Sequence, residues 1–332
     1  MPKRDLQSGA SSANNSTQKK IKRDSDICNL NLDQVEKQLQ ETKEEIRDIP
    51  TLVESLTKSF PLQLSDKDIR LKSDSCQPVP HGFRFSGKYN RLPIQCTCVN
   101  TDNQELIDHE WKISQLLVVC RNMGTYIGRY QSTPKEANIR LPDVSLRTEL
   151  WFFVEQVYQY NTLTEYLEAH QSEGVEPLYF IQIGIALYSM LVDAHALDIG
   201  LVNITEESLR VGIDGGLYFV GFRDCVHLNQ ETPLKNKSWI IKPKAKTPEF
   251  ALLKKGQYKK EMDVYLASLV LGKIAHKNCS DQHYKSFYKE ILKQLASGLQ
   301  QSYQERASAE DMLKSFEELR CKALNIKCEA ST

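Results

Sequence analysis

His195-Ala-Leu-Asp-Ile-Gly-Leu-Val-Asn-Ile-Thr-Glu-Glu-Ser-Leu-Arg-Val211 runs into a turn, Gly212-Ile-Asp-Gly-Gly216, and then into Leu217-Tyr-Phe-Val-Gly-Phe222. Leu209, Val211, Leu217, Phe219 and Phe222 alternate about Asp214-Gly215-Gly216. That alternation predicts two short paired strands, because Asp and Gly tolerate the positive φ that a tight hairpin needs. Upstream, Ile181, Ile185, Tyr188, Leu191 and Val192 recur at helical spacing, which predicts a long helix over residues 177 to 195. The order is therefore helix, loop, hairpin.

Working outward, Trp151-Phe-Phe-Val-Glu-Gln-Val157 reads as a strand, and Asn161-Thr-Leu-Thr-Glu-Tyr-Leu167 as the start of a short helix. Thr247-Pro-Glu249, the helix over Asp263-Val-Tyr-Leu-Ala-Ser-Leu-Val-Leu271 and Arg306-Ala-Ser-Ala-Glu-Asp-Met-Leu313 follow. From about 81 to 325 the chain reads as one compact domain, with short strands first and helices after.

In their order and spacing these segments resemble a eukaryotic protein kinase over most of residues 85 to 322, best from 150 onward. Residues 151 to 157 resemble the last strand of the small lobe and the hinge. Residues 195 to 222 resemble the catalytic loop, paired strands and metal-binding turn. Thr247-Pro-Glu249 resembles the Ala-Pro-Glu that closes an activation segment. The resemblance implies an α+β, two-lobed fold, with a small β-rich lobe and a helical lobe. It also implies a buried ion pair between Glu249 and Arg306 and an anchoring role for Asp263.

The residues that carry a kinase's chemistry are missing. Phosphoryl transfer needs a phosphate cradle, a Lys held by a Glu, metal ligands and a base. Gly82-Phe-Arg-Phe-Ser-Gly-Lys-Tyr89 lacks the glycine-rich pattern and reads as an ordinary turn. In Pro93-Ile-Gln-Cys-Thr-Cys-Val99, Thr97 stands at the position of the Lys, so Glu110 has no Lys to hold and reads as a solvated or structural carboxylate. Two registers fit the loop. In the first, Leu201-Val202-Asn203 replaces His-Arg-Asp, Ser208 replaces the metal-binding Asn, and Gly221-Phe222-Arg223 replaces Asp-Phe-Gly. In the second, Asp198 is the base, and Asn203 and Asp224 are the metal ligands. The first keeps the strands in place. The second restores a base and two ligands but sets Ile204-Thr205-Glu206 where an apolar strand begins and supplies no Lys.

In the first register, losing several such groups together leaves no workable phosphotransferase, because each is worth orders of magnitude in rate. The resemblance then implies a catalytically inactive pseudokinase that binds neither ATP nor magnesium tightly and acts as a scaffold or allosteric regulator, with an active kinase or its substrate as a candidate partner. The alternatives are a divergent phosphotransferase using Asp198, Asn203 and Asp224, or a nucleotide sensor without catalysis.

The flanks carry the binding signals. Residues 1 to 27 are polar and read as a disordered basic tail. Lys19, Lys20, Lys22 and Arg23 suit an acidic import-receptor groove, which predicts nuclear localisation, otherwise cytoplasmic. Leu32, Val35, Leu39, Ile46 and Ile49 belong to a heptad stripe that predicts a helical, coiled-coil-like segment over 28 to 60. That stripe either docks a partner, as a homo- or hetero-coiled coil, or packs on the following domain. Residues 61 to 80 read as a linker and 326 to 332 as a tail. Lys235, Lys237, Trp239 and Lys242 lie in the activation-segment equivalent, where a basic, aromatic strip suits an acidic or phosphorylated protein partner.

Composition sets the outer limits. The 332 residues carry 43 Lys and Arg against 43 Asp and Glu, so bulk charge gives no indication of nucleic acid or an anionic membrane. No apolar run is expected to be long enough to span a bilayer. The 9 cysteines are scattered without a CxxC pair, which favours a reducing compartment. Cys96 and Cys98 share a strand face and read as core thiols, a metal half-site being the alternative; no metal ligand set is assigned.

Overall fold

Eight-residue alternation builds the centre of the molecule. In the computed structural model, strands β3 (Gly82–Tyr89) and β4 (Leu92–Val99) form a hairpin whose turn residues Asn90 and Arg91 both take positive φ, 47° and 74°. The structure describes residues 64, 68–79, 82–99, 103–141, 148–170, 174–228, 247–248, 258–279 and 284–324. All of them belong to the unit Thr57–Thr332, one of two into which the chain divides.

β1 (Ile69–Leu71), β2 (Gln77–Val79), β5 (Tyr126–Ser132) and β6 (Leu150–Glu155) complete an antiparallel sheet. Its order is β1-β3-β4-β6-β5, with β2 also on β3. Side chains alternate across such a sheet. One face puts Phe85, Cys96, Cys98, Phe152 and Val154 into a core of their own. The other face carries Arg84, Thr97 and Phe153 in one row, since Arg84 pairs with Thr97 and Thr97 with Phe153. Gln95 and Glu155 pair in the next row.

Helix α1 (Gln104–Leu116) starts where the Asn103 side chain accepts from the Leu106 amide at 3.2 Å. It buries Ile107, Glu110, Trp111 and Ile113. α2 is Leu163–Ala169, and α3 is Pro177–Ala196, opened by a proline at a first-turn position. Two short ladders follow: β7 (Ile199–Gly200) with β10 (Val226–His227), and β8 (Leu209–Val211) with β9 (Leu217–Phe219). The chain continues in α4 (Lys260–Asn278), α5 (Lys285–Leu295) and α6 (Ala309–Ala323). α3 is buried almost all round, and its Leu187, Tyr188 and Leu191 sit in the large core with Phe153, Leu271 and Phe316. The molecule is thus α+β, an antiparallel sheet with helices and two small ladders.

Several expectations need correction. The stretch expected as a linker over 61 to 80 carries β1, a 3₁₀ turn and β2, so the sheet begins before residue 81. Strands of three residues are too short to show alternation, and Asp68, Ser73 and Pro78 mask them as loop. Gly82 and Gly87 lie inside β3 rather than in a turn; a Cβ on Gly87 would stand 2.8 Å from the Arg70 carbonyl, so close strand approach requires the glycine. By length and composition α3 is apolar enough to cross a bilayer, contrary to expectation, but 61% of its most apolar window is buried in the core. Cys96 and Cys98 are core thiols, with burial raising the second to about 12.

The basic tail, its Lys19, Lys20, Lys22 and Arg23, the heptad stripe Leu32, Val35, Leu39, Ile46 and Ile49, the strip Lys235, Lys237, Trp239 and Lys242, Glu249 and the terminal tail all lie outside the described residues.

Candidate functional site

Asp263 fixes the loop that follows α3. Fully buried near the start of α4, its carboxylate accepts from the amides of Leu201 and Val202 at 2.8 and 2.9 Å. It also bonds His195 Nε2 at 2.9 Å and accepts from the Tyr258 hydroxyl at 2.9 Å. Val202 takes φ 63°, a left-handed conformation costly for a β-branched residue. Two charge-assisted bonds at that backbone hold it there. The loop so fixed presents Asn203, Thr205 and Ser208 towards the sheet. Ser208 caps its own turn, exchanging bonds with Thr205.

Between this loop and the sheet lies a cavity of about 130 Å³. Thr97, Glu110, Asn203, Ser208, Gly221 and Asp224 all line it. Residues scattered over more than 120 positions are therefore brought to one place. Asp198 does not line it. It is exposed on the turn after α3, with φ 56°, and its carbonyl accepts from the Leu228 amide at 2.8 Å. Arg306 lies elsewhere, buried, donating to the carbonyls of Gln300, Gln301 and Glu261 and lying 4.7 Å over the Tyr265 ring.

The cavity's charges form two clusters. On one side the Arg223 guanidinium donates to Glu110 Oε2 at 2.9 Å, and the Tyr126 hydroxyl donates to Oε1 at 2.8 Å. Glu110 is buried, so the expectation of a solvated carboxylate is corrected, while that of a structural one stands. Burial, then the neighbouring Glu110 charge, holds the Tyr126 phenol well above its ordinary value. Beside it Asn203 Nδ2 donates to Asp224 Oδ2 at 2.8 Å.

On the other side Glu155 faces Arg210 at 3.1 Å and accepts from the Thr97 hydroxyl at 2.6 Å. Arg210 reaches Gln95 at 3.3 Å and lies 5.1 Å over the Tyr158 ring. Arg84 stands next to this group, 9% exposed. Burial and then Arg210 lower its guanidinium to about 10.

Sequence reasoning missed Arg84, Glu155, Arg210 and Arg223. Each carried a visible signal: a charged residue inside an apolar strand or directly after an apolar anchor, as in Leu209-Arg210-Val211 and Phe222-Arg223. Chemically, Glu110 and Glu155 are committed to guanidinium groups and hydroxyls. Among the described residues no group of three His, Cys, Asp or Glu side chains is arranged to hold a metal.

No family model matches the chain, and no curated protein matches it.

Proposed function

We propose that this protein is a catalytically inactive pseudokinase, a kinase-like two-lobed fold kept for binding other proteins. One observation carries the reading. Four positions that the resemblance assigns to phosphoryl transfer, Thr97, Asn203, Ser208 and Gly221, line a single cavity and bring no Lys and no carboxylate to it. Of the cavity's acidic groups, Glu110 and Glu155 are paired with Arg223 and Arg210, and Asp224 accepts from the Asn203 amide. A magnesium–triphosphate site needs the reverse, open carboxylates for the metal and a cation for the phosphates. ATP and magnesium are accordingly not tight ligands.

The antiparallel sheet followed by a buried helix, loop and hairpin supports the kinase-like frame. Asp263 supports the register in which Leu201-Val202-Asn203 stands for His-Arg-Asp, because it binds that segment's amides. A divergent phosphotransferase or nucleotide sensor is favoured by the Asn203–Asp224 contact; the exposed position of Asp198 weighs against the first of these.

Function then rests on the flanks. The protein acts as a nuclear scaffold or allosteric partner. Residues 28 to 60, with or without self-association, and the strip Lys235, Lys237, Trp239 and Lys242 engage proteins, an active kinase among the candidates. Thermal denaturation of the full chain with ATP and magnesium tests this. The expected result is no magnesium-dependent rise in Tm, together with co-purifying proteins that are lost when residues 28 to 60 are deleted. A saturable magnesium-dependent rise overturns it.

A further inference from the structure

Arg84 is the least accounted-for charge in the described part of the molecule. Its side chain projects from the middle of β3 onto the cavity face of the sheet, beside Thr97. It is 9% exposed, its Nε is buried without a hydrogen-bond partner, and among the described residues its guanidinium makes no ion pair. An ion removed from water without a counter-ion is costly, and buried charges are as a rule paired.

The surrounding charges sharpen the anomaly. Glu155 attracts the Arg84 guanidinium most, but it is already taken by Arg210 at 3.1 Å and by the Thr97 hydroxyl at 2.6 Å. Glu165 adds a weaker attraction, and Arg210 repels. Arg84 and Arg210 thus share the single carboxylate of Glu155. Glu110 and Asp224, which also line the cavity, are bonded to Arg223 and Asn203. Glu207 on the lining is exposed.

We propose that the Arg84 end of the cavity binds a small oxyanion, a carboxylate or phosphate, with the Arg84 guanidinium as its principal counter-ion. A guanidinium matches either group through parallel N–H donors. The size of the ligand follows from the space. About 130 Å³ is close to the roughly 150 Å³ cavity known to take up benzene, so the part of the ligand held inside is about one ring in size. A nucleoside triphosphate is far larger. The inference stands whether or not the pseudokinase reading holds, because it uses only the cavity and its charges.

The test is thermal denaturation of the full chain with sodium benzoate, sodium phosphate or sodium chloride at matched ionic strength, alongside Arg84→Met and Arg84→Lys. The expected result is a saturable rise in Tm with benzoate or phosphate beyond that with chloride. Which of the two acts distinguishes an organic acid from a phosphate. Arg84→Met is expected to fold with a Tm no lower than the parent without ligand, since it removes an unpaired buried cation, and to weaken anion binding at least tenfold. Arg84→Lys is expected to weaken it less. No anion-specific rise, or an equal rise in Arg84→Met, overturns the proposal. So does an Arg84→Met protein that fails to fold, since Arg84 would then be satisfied within the fold itself.

Discussion

Arg223 and Glu110 form a buried ion pair in the cavity lining. Arg223 follows Phe222, whose ring is buried edge-on to Tyr126 and Phe219 and fixes where the guanidinium lies. Both members of the pair are 7% exposed at the side chain, so neither has water to fall back on. Arg223→Met is therefore expected to cost about 3–5 kcal/mol, since it strands the Glu110 charge. Adding Glu110→Gln should recover a large part of that loss, because the stranded charge goes with it. Urea denaturation of the two single variants and the double variant measures this; a loss below about 1 kcal/mol in Arg223→Met contradicts the assignment of the pair as structural. Legibility at this scale was partial. Thr97, Asn203, Ser208 and Gly221 were singled out through the resemblance, and all four line the cavity. Arg84 and Arg210 were not, because an arginine inside a strand looks solvent-facing until the sheet face it occupies is covered by another element.

Between elements, α3 and α6 pack through one close approach. A Cβ on Gly184 would stand 2.1 Å from the Phe316 ring, so the glycine admits the aromatic side chain against the helix backbone. Gly184→Ala gains helix propensity but overpacks this contact, and the second effect is the larger, with a net loss of about 1–3 kcal/mol expected. Phe316→Leu in the same chain should relieve the clash, so the double variant loses less than the sum of the single losses; additive losses contradict the packing account. α6 opens with a full capping box, Ser308 and Asp311 bonding reciprocally. Ser308→Ala is expected to cost about 1 kcal/mol, read from the denaturation midpoint. Long elements were legible in the sequence: α3 follows helical spacing, the Asp263-bearing α4 was expected from the resemblance, and the Leu209–Phe219 hairpin follows alternation around its Asp-Gly-Gly turn. β1 and β2 were not, since three residues carry no period and their pairing with β3 is set by tertiary contact.

For the whole molecule, the proposed pseudokinase reading joins an apolar frame like a kinase's to a cavity without its Lys. The sheet, the loop after α3 and the anchor Asp263 bring Thr97, Asn203, Ser208 and Gly221 to one cavity, whose Glu110 and Glu155 are paired with Arg223 and Arg210. The central claim, that this site transfers no phosphate, is tested most directly by incubating the full chain with γ-labelled ATP, magnesium and a mixed protein substrate, next to Asp198→Asn and Asp224→Asn. The account predicts no transfer by the parent chain above that of the two variants. Transfer by the parent that is abolished in Asp198→Asn or Asp224→Asn contradicts it.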